Sequence, residues 1–462
     1  MMKEKLYFYY TSDLHSHFEN WPQIVGYFND QKKKHEKKGE EYWLFDNGDH
    51  VDRFHPIAEG LMGKGNVELL NEAGYDVATI GNNEGITLAS EDLHSLYDHA
   101  TFRVVCANLD CKSSSSPAWL KPYHILESKY GTKIGVLGLT APFQAFYQQL
   151  GWDVLSPFDI LDGVIEELRN QTDIIILLSH LGINEDEEIA RRYSDIDIII
   201  GGHTHHLFKN GEYIDGVLLT AAGKHGTHLG EVAVEWNIDT RHLEKKEAYA
   251  IPTEQLKKDD GVTKKVKEIR SKAVHELGTP VTYLREPLHI AWFQDTPLMK
   301  RLTDQLRLWT SADIAMLNAG VLLDHLSAGE ITYEDIHRIC PHPMNPCLVE
   351  LKGDELLEVV RAAHTKELTE IRLKGFGFRG EVIGKMVFAG IDIEMGMDDD
   401  GGEHVKRVTF AGEPIDYDRT YQFATADTFT FGRFFPEIAY AKSKKYFMPE
   451  LLRDLLSEAL KS

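Results

Sequence analysis

Seven side chains at widely spaced positions can each offer oxygen or nitrogen to a divalent cation: Asp13, His15, Asp49, Asn82, His180, His203 and His205. None carries sulfur. Carboxylate and carboxamide oxygens combined with imidazoles suit Mn²⁺, Fe, Co²⁺ or Zn²⁺, and suit Mg²⁺ less because the imidazoles are so many. Asp13 and His15 lie two residues apart, as do His203 and His205. On an extended backbone each pair projects to one side. A carboxylate shared between the pairs would bridge two ions held ~3.5–4 Å apart, and Asp49 is the best candidate for that bridge. Taken singly, each residue has a duller explanation. A histidine after a strand is commonly a loop residue, and Gly48-Asp49 reads as a cap or turn. Their joint order is what points to a two-metal site.

These residues need elements that bring them together. LYFYY, YWLF, DVATI, IIILL and DIDIII are short apolar runs with the length and composition of strands. LYFYYTS leads into Asp13 and His15, YWLFDNG into Asp49, and DVATIG into Asn82. IIILLS leads into His180, and DIDIIIGG into His203 and His205. In α/β sheets the C-terminal ends of strands border one crevice, so the groups can converge there. Amphipathic helical spacing at 159–170 and 185–193 completes the α/β alternation.

A chain of 462 residues predicts two domains. The first spans 1–250, and a charged linker helix follows at 251–280, solvated and closed by Pro280. A smaller α+β domain follows at 281–462, with helices at 299–309, 354–364 and 449–460 and strands such as IAMLN, LVELK, MVFAGIDIEM and YQFATA. GFGFRG at 375–380 matches a dinucleotide fingerprint by letter but not on a strand-to-helix turn, so it is set aside. Asp398 to Gly402 reads as a hairpin tip. The 73 acidic residues outnumber the 50 basic ones, giving a net charge of −23 that repels nucleic-acid polymers and anionic membranes. No apolar stretch reaches the ~18–20 residues of a membrane span. Cys106, Cys111, Cys340 and Cys347 lack zinc-ribbon spacing, and reduced thiols in a cytoplasmic protein are the expectation.

Asp13-Leu14-His15, Gly48-Asp49, Gly81-Asn82-Asn83-Glu84, Ser179-His180 and Gly202-His203-Thr204-His205 resemble the five motifs of the calcineurin-like metallophosphoesterases. LNAG at 317–320 and AGEITYEDI at 328–336 resemble the second domain of the 5′-nucleotidase branch. The resemblance implies an N-terminal sandwich of two β-sheets flanked by helices. It implies one metal at Asp13, His15, Asp49 and His205, and another at Asp49, Asn82, His180 and His203. It implies a hydrolase of phosphoric esters, in which a metal-activated hydroxide attacks the phosphorus of a small, nucleotide-like substrate.

The chain departs from that family pattern at the acid. The family places a catalytic histidine where Asn83 stands, and an aspartate that orients it where Ile86 stands. An amide can donate a hydrogen bond but cannot transfer a proton, and general acid catalysis is worth ~10²–10⁴-fold. His50, with His17 and His55, is a candidate substitute, and a phosphoanhydride or activated diester would need the acid less. The alternative is a metal-retaining nucleotide sensor with little turnover. In the second domain the resemblance leaves Asn318, Asn345, Phe429, Arg433 and Phe434 as candidate substrate residues: aromatic faces for a base, and a guanidinium for phosphate.

Overall fold

The computed structural model describes residues 2–112, 115–373, 375, 377–397, 402–432 and 434–461. They divide into two compact units, Met1–Ala273 and Val274–Ser462.

In the first unit the β-branched and aromatic runs become two sheets. One has seven strands, in the order His242–Pro252, His228–Asn237, Lys3–Thr11, Glu41–Asp46, Val77–Thr79, Arg103–Val105 and Leu120–Lys121. The other has six, in the order Glu212–Ile214, Val217–Thr220, Ile198–Gly201, Ile174–His180, Lys133–Thr140 and Tyr123–Glu127. Lys3–Thr11, Glu41–Asp46, Val77–Thr79 and Arg103–Val105 run parallel. So do Lys133–Thr140, Ile174–His180, Ile198–Gly201 and Val217–Thr220. Parallel strands put their C-terminal ends on one edge.

The strand Ile174–His180 shows how the layers form. Its period of two sends Ile174, Ile176 and Leu178 into a core shared with Leu6, Phe8 and Phe45 of the other sheet. Ile175 and Leu177 enter a second core with Leu161, Ile165 and Leu168 of helix Pro157–Arg169 and Ile189 of helix Ile183–Arg192. A strand buried on both faces reads as an unbroken apolar run, and each such side chain contributes roughly 1.5–3 kcal/mol. The result is a sandwich of two sheets flanked by helices.

The charged segment behaves differently from the solvated linker expected of it. Its helix spans Asp260–Leu277, while Pro252 still belongs to the preceding strand. Ile269, Ala273 and Leu277 recur every fourth residue and are buried. Lys265 pairs with Glu68 at 2.8 Å and Glu72 at 3.2 Å. A Cβ on Gly60 would lie 2.4 Å from the Ala273 carbonyl oxygen, so the helix needs glycine there to approach so closely. Most of this helix is therefore packed into the first unit.

The second unit is α+β. Its five-stranded sheet runs Met386–Ala389, Ile314–Asn318, Thr420–Ala426, Pro346–Lys352 and Lys444–Tyr446. Helices Pro297–Thr310, Gly353–Ala363 and Leu452–Lys461 contribute Leu302, Leu306, Leu356, Val360 and Leu456 to its core. The run 386–395, expected as one strand, breaks at Gly390, whose φ is +88°. Residues beyond it pair instead as the hairpin Ile391–Met397 with Glu403–Phe410, whose tip at Asp398 to Gly401 falls outside the described residues. Among the described residues no helix is long and apolar enough to cross a membrane. All four cysteines are buried thiols.

Candidate metal centre

Both sheets of the first unit deliver donors. Asp13, Asp49 and Asn82 follow the seven-stranded sheet's strands Lys3–Thr11, Glu41–Asp46 and Val77–Thr79. His180 ends the six-stranded sheet's Ile174–His180, and His203 and His205 follow its Ile198–Gly201. The loops are stitched together: the Asp13 amide donates to the Gly48 carbonyl at 3.1 Å, and the His15 amide to that of Asp49 at 2.7 Å. The backbone at these residues is not extended. Asp13, His15, Asp49, His203 and His205 all have positive φ, between 49° and 67°. Each is a non-glycine residue in the left-handed region, which costs of order 1–3 kcal/mol apiece and persists only where the surroundings enforce it. The paired spacing works through repeated left-handed turns, not through pleating.

The donors meet at short range. His15 Nε2 lies 3.2 Å from His205 Nε2 and 3.6 Å from Asp49 Oδ2. His205 Nε2 lies 3.4 Å from Asp13 Oδ1. His180 Nε2 lies 3.3 Å from Asp49 Oδ2 and 3.8 Å from Asp13 Oδ1. Two groups have the compactness to hold an ion, Asp13 with His15 and His205, and Asp13 with Asp49 and His180. His203 Nδ1 stands 2.7 Å from Asn82 Oδ1, and the His203 and His180 rings are 5.5 Å apart.

The chemistry of these atoms calls for a cation. His180 Nδ1 donates to the Asn47 carbonyl at 2.7 Å, so Nε2 is the nitrogen turned to the centre. That atom is buried without a hydrogen-bond partner of good geometry, and it faces two carboxylates. Burial disfavours charge on the ring, but Asp49 and Asp13 overcome it and raise the His180 pKa to about 10. Burial likewise opposes charge on Asp49, yet His180 and His15 hold its carboxyl well below the usual range. The Asp13 carboxyl is raised, by burial first. Burial keeps His203 neutral down to about 4 and His205 down to about 3, leaving lone pairs to offer. A buried nest of carboxylates and imidazole lone pairs fits divalent ions and has little other stable use.

Several supporting residues had no signature in the spacing. Asp52 Oδ2 lies 3.2 Å from His15 Nδ1 and aims its ring. Ser12 Oγ donates to Asp13 Oδ2 at 2.5 Å. The Glu84 carboxylate accepts from the amides of Asp49, Val51 and Gly81 at 3.0, 2.7 and 2.9 Å. Gly48 and Gly81 let two strand ends touch: a Cβ on Gly81 would lie 2.1 Å from Asp49 Oδ1.

The candidate acids fall elsewhere. His50 is buried against Phe18 and Trp21, and burial lowers its pKa to about 3. A ring that stays neutral there has no proton to give near pH 7, which corrects the expectation that it substitutes for the missing histidine. His55 caps the helix Pro56–Gly60. His17 packs between Phe54 and His225 in tilted contacts, with ring centroids at 4.9 and 3.8 Å. Asn83 lies inside the donor cluster, 3.0 Å from His15 Nδ1.

In the second unit, Asn318 ends a core strand; its Nδ2 donates to the Ile383 carbonyl, and its Oδ1 is buried without a partner. Asn345 Nδ2 donates to the Glu450 carbonyl at 2.8 Å. Phe429, expected to offer a face to substrate, is instead fully buried against Phe435, because the core claims both rings. Phe434 is half-buried on that core, and the exposed ring of the run is Phe431, stacked on Tyr446. Arg433 lies outside the described residues.

The chain is similar to known proteins along its whole length. Residues 6–207 match the calcineurin-like phosphoesterase family, and residues 279–433 match the 5′-nucleotidase C-terminal domain. The uncharacterized metallophosphoesterase YunD of Bacillus subtilis (strain 168) is 45% identical over 457 residues, covering 99% of each chain. A 5′-nucleotidase of Vibrio cholerae is 24% identical over 91% of this chain and 83% of its own. The structure of Haemophilus influenzae NAD nucleotidase superposes with a TM-score of 0.69 at 16% identity, over 100% of this chain and 97% of that one. The chain belongs to the calcineurin-like metallophosphoesterases with a 5′-nucleotidase C-terminal domain, phosphoric ester hydrolases built around a dinuclear divalent metal centre.

Proposed function

We propose that this chain hydrolyses small nucleotide-like substrates whose leaving group departs without a proton, phosphoanhydrides or activated diesters above simple alkyl monoesters. One metal would be held by Asp13, His15, Asp49 and His205, and the other by Asp49, Asn82, His180 and His203. Ions so held supply Lewis acidity and an ionised water at neutral pH. The O,N donor set favours Mn²⁺, Fe, Zn²⁺ or Co²⁺. Asp49, whose Oδ2 lies 3.6 Å from His15 Nε2 and 3.3 Å from His180 Nε2, would serve both ions, and Asp13 is the carboxylate common to both compact groups, so loss of either should cost most. His180 orients through Asn47 and His15 through Asp52, so both rings present Nε2 to the centre.

The observation that carries the substrate class is Asn83. At the family's acid position stands an amide, and His50 is buried in an aromatic pocket that keeps it neutral. With no proton donor there, rate depends on the leaving group's own stability. The NAD nucleotidase and 5′-nucleotidase relatives make nucleotides the first class to assay. The test loads the protein with each metal and compares mononucleotides, cyclic nucleotides, dinucleotides with a pyrophosphate link, and aryl phosphates. Anhydrides and aryl esters should turn over at least tenfold faster than nucleoside monophosphates, and Asp49→Asn should abolish both. Asn83→His should narrow the gap by raising the monoester rate. Equal rates for alkyl and aryl esters would refute the assignment. A second reading, a sensor that binds nucleotide with little turnover, draws on the same Asn83. Tight binding with no hydrolysis of any member of the panel would select it.

A further inference from the structure

Asn83 is surrounded by protein, unlike a group that meets substrate. It is 8% exposed, and its polar atoms all lie against protein neighbours. Its Oδ1 accepts from Asn82 Nδ2 at 3.2 Å, and its Nδ2 lies 3.0 Å from His15 Nδ1. Its backbone amide donates to Asp49 Oδ1 at 2.7 Å, and its carbonyl accepts from Thr87 Oγ1 at 2.6 Å. One residue thus touches His15 from one candidate metal position, Asn82 from the other, and the carboxylate between them.

We infer that Asn83 is a positioning residue that holds the two halves of the donor set in register. The inference rests on the ligand assignment proposed above. An asparagine amide looks the same at both ends by size, so only its hydrogen bonds decide which atom faces a cation. With Asn82 Nδ2 committed to Asn83 Oδ1, Asn82 Oδ1 is the atom left facing His203 Nδ1, at 2.7 Å. On the other side, Asp52 Oδ2 accepts from His15 Nδ1 at 3.2 Å, and Asn83 Nδ2 packs 3.0 Å from the same nitrogen, so the two confine the plane of the ring. Partners of metal ligands typically govern 10–100-fold in metal affinity. The position that would otherwise carry an acid is thereby given to metal binding.

The experiment titrates Mn²⁺ into the ion-free full chain, measuring affinity by calorimetry and the pairing of ions by electron paramagnetic resonance. Wild type should bind two ions and give a spin-coupled signal. Asn83→Ala should weaken at least one ion by about 10–100-fold and give the signal of isolated Mn²⁺. Asn83→Asp keeps an acceptor for Asn82 and should restore the coupled signal, which a mere loss of packing would not explain. If Asn83→Ala does not fold, Asn83→Ser takes its place, since its short hydroxyl cannot span both contacts. An Asn83→Ala protein matching a two-ion wild type in affinity and signal overturns the inference alone. A wild type that binds fewer than two ions overturns the ligand assignment beneath it.

Discussion

At the scale of single residues, His180 and Asp427 show how a buried charge finds its state. His180 faces carboxylates and rises to about 10, so without an ion the ring itself carries the positive charge, and a bound cation would displace that proton. Asp427, in the second unit, is a buried carboxyl that accepts from the Thr428 amide at 2.8 Å, and burial raises it to about 7. Its folded pKa exceeds its unfolded value, so the proton is held more tightly when folded. The resulting stability is full below about pH 4 and is lost as pH rises through about 7. Asp427→Asn keeps the acceptor and removes the charge. Denaturant titrations should show the variant gaining on wild type between pH 4 and 7, by on the order of a few kcal/mol. A difference that does not change across that window would mean Asp427 is not held neutral. The donor residues were legible because Asp, Asn and His recur at strand ends. Asp52, Asn47 and Ser12 were not, because a hydrogen-bond partner carries no periodicity that marks it, and Glu84 stood in a motif without its role being readable. His50 was misread for the same reason: adjacency to Asp49 in sequence says nothing about which way a ring packs.

At the scale of elements, the alternation of strands and helices was legible because burial on both faces leaves unbroken apolar runs such as 174–178. The left-handed turns that carry the donors were not, since Asp and His tolerate that conformation without advertising it. Nor was the break at Gly390, where φ is +88° and a Cβ would lie 2.3 Å from the Asp313 carbonyl oxygen. The glycines before Asp49 and Asn82 are required by the meeting of two strand ends. Gly48 has φ +83°, and a Cβ on it would come within 2.5 Å of the Gly81 amide nitrogen. Gly81→Ala would press a methyl group onto the Asp49 carboxylate and amide, at 2.1 and 2.2 Å. Backbone cannot yield as a flexible side chain can, so the Asp49 loop must shift. The variant should lose roughly 2–4 kcal/mol of stability and most of its metal affinity. Gly74→Ala provides the comparison: Gly74 ends a helix at positive φ, whereas Gly81 precedes one at φ −87°, and nothing lies within 4 Å of a Cβ on Gly74. That change should cost about 1 kcal/mol and leave metal binding alone. Equal effects of the two on metal binding would show that crowding at Gly81 is not what matters.

At the scale of the whole molecule, each unit has its own core, one built on Leu6, Phe45 and Ile176 and the other on Leu302, Leu317 and Phe423. Separate cores allow separate unfolding transitions. All the proposed ligands, Asp13 through His205, lie within the first unit. Ions that bind only its folded form stabilise it by mass action, about 2.7 kcal/mol per site at a hundredfold excess over the dissociation constant. They leave the second unit's own free energy untouched. The first unit buries Asp13 and Asp49 together, and bound cations would add to the charge that His15 and His180 now set against them. Scanning calorimetry of chelator-treated protein should therefore show one transition that moves up by several degrees when Mn²⁺ is restored, beside one that does not move. In Asp49→Asn the first transition should become largely insensitive to Mn²⁺, while Asp427→Asn should displace only the second. If Mn²⁺ moved the second transition and left the first in place, the donors gathered at the strand ends would not be where the ions bind.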